Sequence, residues 1–289
     1  MAETSLPEHV RRSCAEVAGA ARWVRIDPGA ATATNGVAGL DPAQHFLEGE
    51  PEQVARYVLI LDTINFGSGW FPTLRHGSTN AMTERLTARV RRDGGPWPAE
   101  ELRALRATDI AELLDEDAAH PLMSHYAEGL RQLGRFLADR DALDVVDDAG
   151  GSAARFAASL AVGMPYFADH GFYKRAQIAA NDLVLAGVAN FADVDELTVF
   201  ADNLLPHVLR LDGVLVLDDE LAARVDRGDL LEAGGPMERE LRACAVCACE
   251  LLAQRLGVAP RVLDNWLWNR GCEPAYAARP AHLTRTVFY

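Results

Sequence analysis

The chain has 289 residues, 49% hydrophobic and 24% charged, a balance that supports a substantial buried core and excludes a disordered polymer. A formal net charge of -14, with 28 Lys and Arg against 42 Asp and Glu, excludes an extended electrostatic grip on nucleic acid, although a small anionic ligand needs only a local positive pocket. The five cysteines, Cys14, Cys244, Cys247, Cys249 and Cys272, offer no second CxxC pair, so they read as small apolar residues in a reducing compartment rather than as zinc ligands.

In chain order, MAETSLPEHVRRSCAEVAG lacks the apolar core of a signal peptide, and no segment approaches the ~20 apolar residues of a bilayer span. A cytoplasmic protein with no membrane partner is expected. Runs of β-branched residues with period-two alternation are scarce and helical spacing recurs throughout, which predicts a mostly α, multi-helix fold with few or minor strands. From Pro98, PAEELRALRATDIAELLDED has acids in its first turn and Leu102, Leu105, Ile110, Leu113 and Leu114 at helical spacing, predicting a helix. HYAEGLRQLGRFLADRDAL is a second. In VDDAGGSAARFAASLAVGMPYFADHG the Gly-Gly and Met-Pro pairs predict loops around a short buried helix, with a hinge near 147–171 inside a single domain spanning 1–289.

The segment DVDELTVFADNLLPHVLRLDG reads as a helix opened by an Asp193/Glu196 capping box, with Leu197, Phe200, Ala201, Leu204, Leu205, Val208 and Leu209 on one apolar stripe. On that helix Asp202 lies at the stripe's margin, and Pro206 removes the N–H that the Asp202 carbonyl would accept, so a kink or break is expected. PMERELRACAVCACELLAQRLG opens with Pro236 and stops before Gly257, and its Glu238, Glu240 and Arg242 read as helix-start stabilisers. Dinucleotide, P-loop, GxSxG and HExxH motifs are absent, NFGSGW lacks the trailing Lys of a phosphate loop, and the eight histidines are dispersed. Neither a metal nor another cofactor is expected.

The motifs LDTINFGSGW, FYKRAQIAAND, LTVFADNLLPHVL, MERELRACAVCACELL, VLDNWLW and HLTRTVFY, in this order over roughly residues 55 to 289, resemble the queuosine salvage family of queuosine 5′-monophosphate N-glycosylases. The resemblance implies an all-α fold similar to helical DNA glycosylases and a hydrolysis that frees queuine from its nucleotide for salvage into tRNA modification. It also implies residue roles. Lys174 of FYKRAQ and Asp202 of FAD match the family's proposed catalytic positions, Asn65 and Phe66 match part of its base pocket, and Asp264 and Trp268 match positions assigned to the base and its cyclopentenediol.

The chain departs from the family at Asn203-Leu204, where Tyr-Arg is usual, at His207 in place of Gln, and at Asn269 in place of Asp. Trp70 stands one residue further from Asn65 than usual. These changes bear on rim contacts and substrate details.

The chemistry suits these residue types. Breaking an N-glycosidic bond builds positive charge on the sugar, which a fixed carboxylate such as Asp202 stabilises in the transition state; the same group can orient water. Lys174 can hold Asp202, bind the 5′-phosphate or protonate the leaving base. Phe66, Trp70 and Trp268 offer stacking faces, with core packing as their alternative, while Arg175 and Gln177 could reach phosphate or ribose but by position read as surface or structural residues. The expected partner is a small nucleotide, queuosine 5′-monophosphate, with queuine as product. A non-catalytic queuine-binding protein and a DNA or RNA glycosylase are the alternatives.

Overall fold

The computed structural model describes residues 4–32 and 39–289. It is mostly α-helical, and among the described residues the regular sheet is one antiparallel pair, Val24–Ile26 with Leu215–Leu217, in which Arg25 faces Val216. No single helix is long and apolar enough to cross a membrane among those residues. The chain divides into two units.

The first unit comprises the described residues of Met1–Gly39 with His170–Lys174 and Asp195–Thr286. Its axis is the helix Pro236–Leu256, which begins on Pro236 and ends where Gly257 takes a left-handed φ of 66° and donates its N–H to Ala253, as the sequence predicts. Ala243, Cys244, Ala245, Ala248 and Cys249 make its surface thin, so the helices Leu6–Gly19, Leu204–Leu211 and Pro260–Gly271 and both strands pack closely around it. Burial pushes the Cys244 thiol up to about 12 and that of Cys249 well above its ordinary range, so both stay neutral and act as small apolar side chains.

Arg242 makes the expected local pair with Glu238 at 3.3 Å, but two of the charged residues at this helix start also reach beyond it. Glu240 is buried and accepts the Arg22 and Trp23 N–H groups at 2.9 and 2.8 Å, tying down the entry to the first strand. Arg242 is buried too and points at the loop before Leu204.

That loop corrects a second expectation. The helix predicted from Asp193 is absent; Val194–Glu196 forms a short 3-10 turn, Leu197 to Ala201 are buried at every position, and the helix begins only at Leu204. The Phe200 N–H is taken by the Asp264 carboxylate at 2.7 Å rather than by a helical carbonyl, and the apparent stripe is an enclosed irregular segment. Pro206 falls in the first turn of Leu204–Leu211, where its missing N–H leaves no intrahelical bond unmade.

His282, buried in this unit, has its pKa lowered to about 3 by burial first and then by the charges of Arg242 and His207. The imidazole is held neutral in the fold while the unfolded chain binds a proton below about pH 6.5, so this contribution is complete above that pH and lost on acidification toward 3. Urea unfolding from pH 7.5 to 5 should show stability falling by up to about 1.4 kcal/mol per pH unit from this group, with a shallower slope in His282→Gln.

The second unit comprises Leu40–Asp169, Arg175–Val194 and Val287–Tyr289. Its central helix, Pro51–Ile64, is buried at Val54, Ala55 and every residue from Tyr57 to Ile64. Pro121–Leu137 packs on it and on Ala99–Ala104. The single helix expected from Pro98 is two, Ala99–Ala104 and Ala107–Leu114, because Asp109 folds back to accept the Arg106 N–H at 2.8 Å and starts a new N-terminus, while Arg131 takes the Leu105 carbonyl at 2.7 Å. Ala153–Gly163 lies between the Gly-Gly and Met-Pro pairs, as predicted.

Asp193, expected to cap its own segment, instead accepts from Ser152 and the Ala153 N–H at 2.6 Å each, capping Ala153–Gly163.

Helix approach at Gly134 is close enough that an added Cβ would lie 2.7 Å from the Ala99 oxygen and 2.8 Å from the Arg103 nitrogen. Both are backbone atoms, so Gly134→Ala should destabilise by about 1–3 kcal/mol, read as a lower urea midpoint.

Candidate active site

In the first unit the structure brings Lys174 and Asp202 together. Lys174 Nζ lies 3.9 Å from Asp202 Oδ2, and the two side chains are 5% and 17% exposed. Asp202 precedes the Leu204–Leu211 helix, and its Oδ1 accepts the Leu204 and Leu205 N–H groups at 2.8 and 3.1 Å. These donors belong to the helix start and need an acceptor, so they orient the carboxylate and leave Oδ2 directed toward the lysine.

The approach to Lys174 is a tight turn. Gly171 and Tyr173 have φ of 90° and 51°, and a Cβ on Gly171 would meet Ser13 Oγ at 2.9 Å. A left-handed tyrosine costs on the order of 1 kcal/mol, a strain placed immediately before the lysine.

Asp264 and Trp268 sit four residues apart on the helix Pro260–Gly271, hence on one face. Asp264 is buried and its Oδ1 accepts the Phe200 N–H at 2.7 Å, so at least this oxygen holds the segment leading to Asp202. Trp268 is partly exposed. The end of this helix adjoins Asp202 closely: a Cβ on Gly271 would lie 2.7 Å from Leu204 Cγ, and burial followed by the Asp202 charge pushes the Cys272 thiol up.

His207, the departure from the usual Gln, is buried with Nε2 3.0 Å from the Tyr276 carbonyl, and burial keeps its pKa low. Its role here is to tie Leu204–Leu211 to a neighbouring segment.

Asn65, Phe66 and Trp70 belong to the second unit. Asn65 is the C-cap of Pro51–Ile64, and Gly67, at φ 103°, turns the chain into the 3-10 helix Ser68–Thr73 while donating to the Tyr289 carbonyl at 2.9 Å. Phe66 is buried between the edges of Tyr126 and Tyr166, at centroid distances of 4.9 and 6.1 Å, and Trp70 lies 5.6 Å from His125. Tyr126 also donates to the Phe66 carbonyl at 2.7 Å.

Arg175 is fully buried in this unit, 4.6 Å over the Phe66 ring, and donates to the carbonyls of Thr63, Tyr166 and Val287. Burial lowers its pKa to about 9, still above neutrality, so the guanidinium remains charged. Its contacts here are structural, one of the readings its sequence position offers beside a surface role and a reach to phosphate or ribose.

Sequence reasoning missed the supporting contacts, namely Arg242 under the Asp202 segment and Tyr126, Tyr166 and His125 around Phe66 and Trp70. The available signal for Arg242 was a Glu238/Arg242 pair within a helix that is otherwise rich in small apolar residues.

The chain is a mostly helical protein in which a nearly buried lysine and carboxylate are held by a helix start and a strained turn. The family is shown by comparison: residues 45–289 match the family described as queuosine salvage protein, and the chain belongs to it. It is 33% identical over 272 residues to the queuosine 5′-phosphate N-glycosylase/hydrolase of Sphaerobacter thermophilus, covering 85% of this chain and 84% of that one. It is 28% identical over 283 residues to the mouse protein of the same name, at 83% of each chain. The Dictyostelium discoideum protein of that name is 27% identical over 271 residues, 82% of this chain and 79% of its own.

Proposed function

We propose that this chain hydrolyses the N-glycosidic bond of queuosine 5′-phosphate, releasing queuine for salvage into tRNA modification. The single observation that carries the reading is the Lys174–Asp202 pair, 3.9 Å apart and withdrawn from water, at the matching motifs of a queuosine salvage protein.

As the bond from C1′ to the base lengthens, positive charge gathers on the sugar. Asp202 Oδ2 faces it as a fixed negative charge, favouring the transition state over the ground state because the carboxylate needs no reorganisation. Water supplies the hydroxyl to C1′ and the departing base takes up a proton. Asp202 is suited to orient that water, while Lys174 holds the carboxylate and supplies a positive charge for the 5′-phosphate.

Queuine is a 7-deazaguanine and lacks the purine nitrogen usually protonated in such cleavages, so the leaving group must be stabilised at its guanine-like edge. In the first unit Asp264 and Trp268 are assigned to the base and its cyclopentenediol. The net charge of -14 favours a free nucleotide over intact nucleic acid. A reducing, cytoplasmic compartment suits this reading, since Cys14, Cys244, Cys247, Cys249 and Cys272 are free thiols.

The test is incubation with queuosine 5′-phosphate, queuosine and guanosine 5′-phosphate, followed by chromatography for free base. Release from queuosine 5′-phosphate first supports the reading. Binding of queuine without release from any of the three would make the chain a carrier.

A further inference from the structure

Arg242 lies on the buried face of Pro236–Leu256, 3% exposed, and its contacts reach both segments that carry the Lys174–Asp202 pair. Its Nε–H donates to the Ala201 carbonyl at 2.9 Å, in the peptide group that joins Ala201 to Asp202. Its guanidinium carbon lies 3.9 Å from the centroid of the Phe172 ring, two residues before Lys174. Nη1 meets Glu238 Oε1 at 3.3 Å, one helical turn earlier.

We propose that Arg242 is a positioning residue for the reaction, setting the separation of Lys174 Nζ and Asp202 Oδ2 through the Ala201–Asp202 peptide and the Phe172 ring. The inference rests on the reading of that pair as the catalytic one.

The physical case has three parts. Asp202 is gripped beyond its Cα by the Leu204 and Leu205 N–H groups, and a fixed peptide plane on its N-terminal side is what remains to determine the direction of its Cα–Cβ bond. The Phe172–Tyr173 turn contains a left-handed tyrosine, a conformation that relaxes unless neighbours hold it, and the guanidinium covers the ring at its start. A guanidinium can donate from its edge to a carbonyl while its face stacks on an aromatic ring; an ammonium cannot do both from one position, so lysine is no substitute.

Glu238, itself buried, aligns the plane and balances its charge. Arg242 therefore acts on the reaction through Asp202 and Lys174.

The experiment measures kcat and KM for queuine release by the wild type, Arg242→Lys, Asp202→Asn and the double variant, with thermal unfolding alongside. Arg242→Lys retains a charge for Glu238. It should lose kcat by about 10–100-fold with KM within about threefold, since displacement of a reacting group by about 1 Å has that effect. In the Asp202→Asn background the same substitution should change kcat by less than about threefold, because its effect runs through the missing carboxylate. Phe172→Leu, which keeps an apolar filler beneath a charged Arg242, gives an independent route should Arg242→Lys unfold, and should likewise lower kcat more than it raises KM.

A wild-type kcat in both Arg242→Lys and Phe172→Leu, or an equal fold-loss from Arg242→Lys with and without Asp202, would overturn the positioning role. Wild-type turnover by Asp202→Asn would instead overturn the assignment of the pair, a result separable from the other two.

Discussion

Asp202→Asn should lower the rate of queuine release by about 10²–10³-fold or more, with queuine affinity changed by less than about threefold. The amide is the same size as the carboxylate, and its oxygen can still accept the Leu204 and Leu205 N–H groups that Asp202 Oδ1 accepts at 2.8 and 3.1 Å. The helix start therefore keeps its acceptor, and the fold should unfold within a few degrees of the wild type. What disappears is the negative charge at Oδ2.

In the variant an amide nitrogen would face Lys174 across the 3.9 Å now spanned by an ion pair, presenting a donor to a cation. Neither the stabilisation of positive charge on the sugar nor the orientation of water survives that exchange. Calorimetry with queuine, alongside chromatography of the reaction, separates binding from turnover. A variant that turned over normally would remove Asp202 from the mechanism.

The second large effect is structural. Arg175→Met should cost about 3–5 kcal/mol, measured as a fall in the urea midpoint. Methionine replaces the volume but none of the donors. The guanidinium serves carbonyls from three stretches of the second unit: Thr63 at the end of Pro51–Ile64, Tyr166, and Val287 in the last residues of the chain. Each would be left buried without its donor, and an unsatisfied buried carbonyl costs about 1–3 kcal/mol.

The rings of Phe66 and Phe167, 4.6 and 4.7 Å from the guanidinium carbon, would also lose their cation. Arg175→Lys should recover only a small part of the loss, because one ammonium cannot span carbonyls that a planar fork reaches from several nitrogens. If Arg175→Met were as stable as the wild type, these hydrogen bonds would contribute little and Phe66 would be held by its aromatic neighbours alone.

How far the sequence carried depended on whether the decisive partner was local. Pro236–Leu256 was legible at both ends because Pro236 and Gly257 act on their own backbone, and Ala153–Gly163 was legible because the Gly-Gly and Met-Pro pairs bound it. The stretch from Asp193 to Leu211 was not. Asp193 and Glu196 have capping-box spacing, yet Asp193 is taken by Ser152 and Ala153, some 40 residues away in sequence, and the supposed stripe is buried on all sides.

The local geometry around Asp202 differs from the one its sequence suggests. Asp202 sits before a helix, not on the margin of one, and Pro206 lies in that helix's first turn. The pairing with Lys174 came from the family motifs, since no periodicity relates residues 174 and 202. Arg242 reads from the sequence only as a helix-start stabiliser because a Glu–Arg pair four residues apart usually marks a solvated helix surface, and only the fold reveals that this one is buried.

The most direct measurement quantifies both products when excess wild-type protein is mixed with queuosine 5′-phosphate. Hydrolysis at the Lys174–Asp202 pair predicts queuine and ribose 5-phosphate in equal amounts, accumulating until the substrate is consumed. Substrate that binds but is recovered intact, at protein concentrations well above saturation, would contradict it.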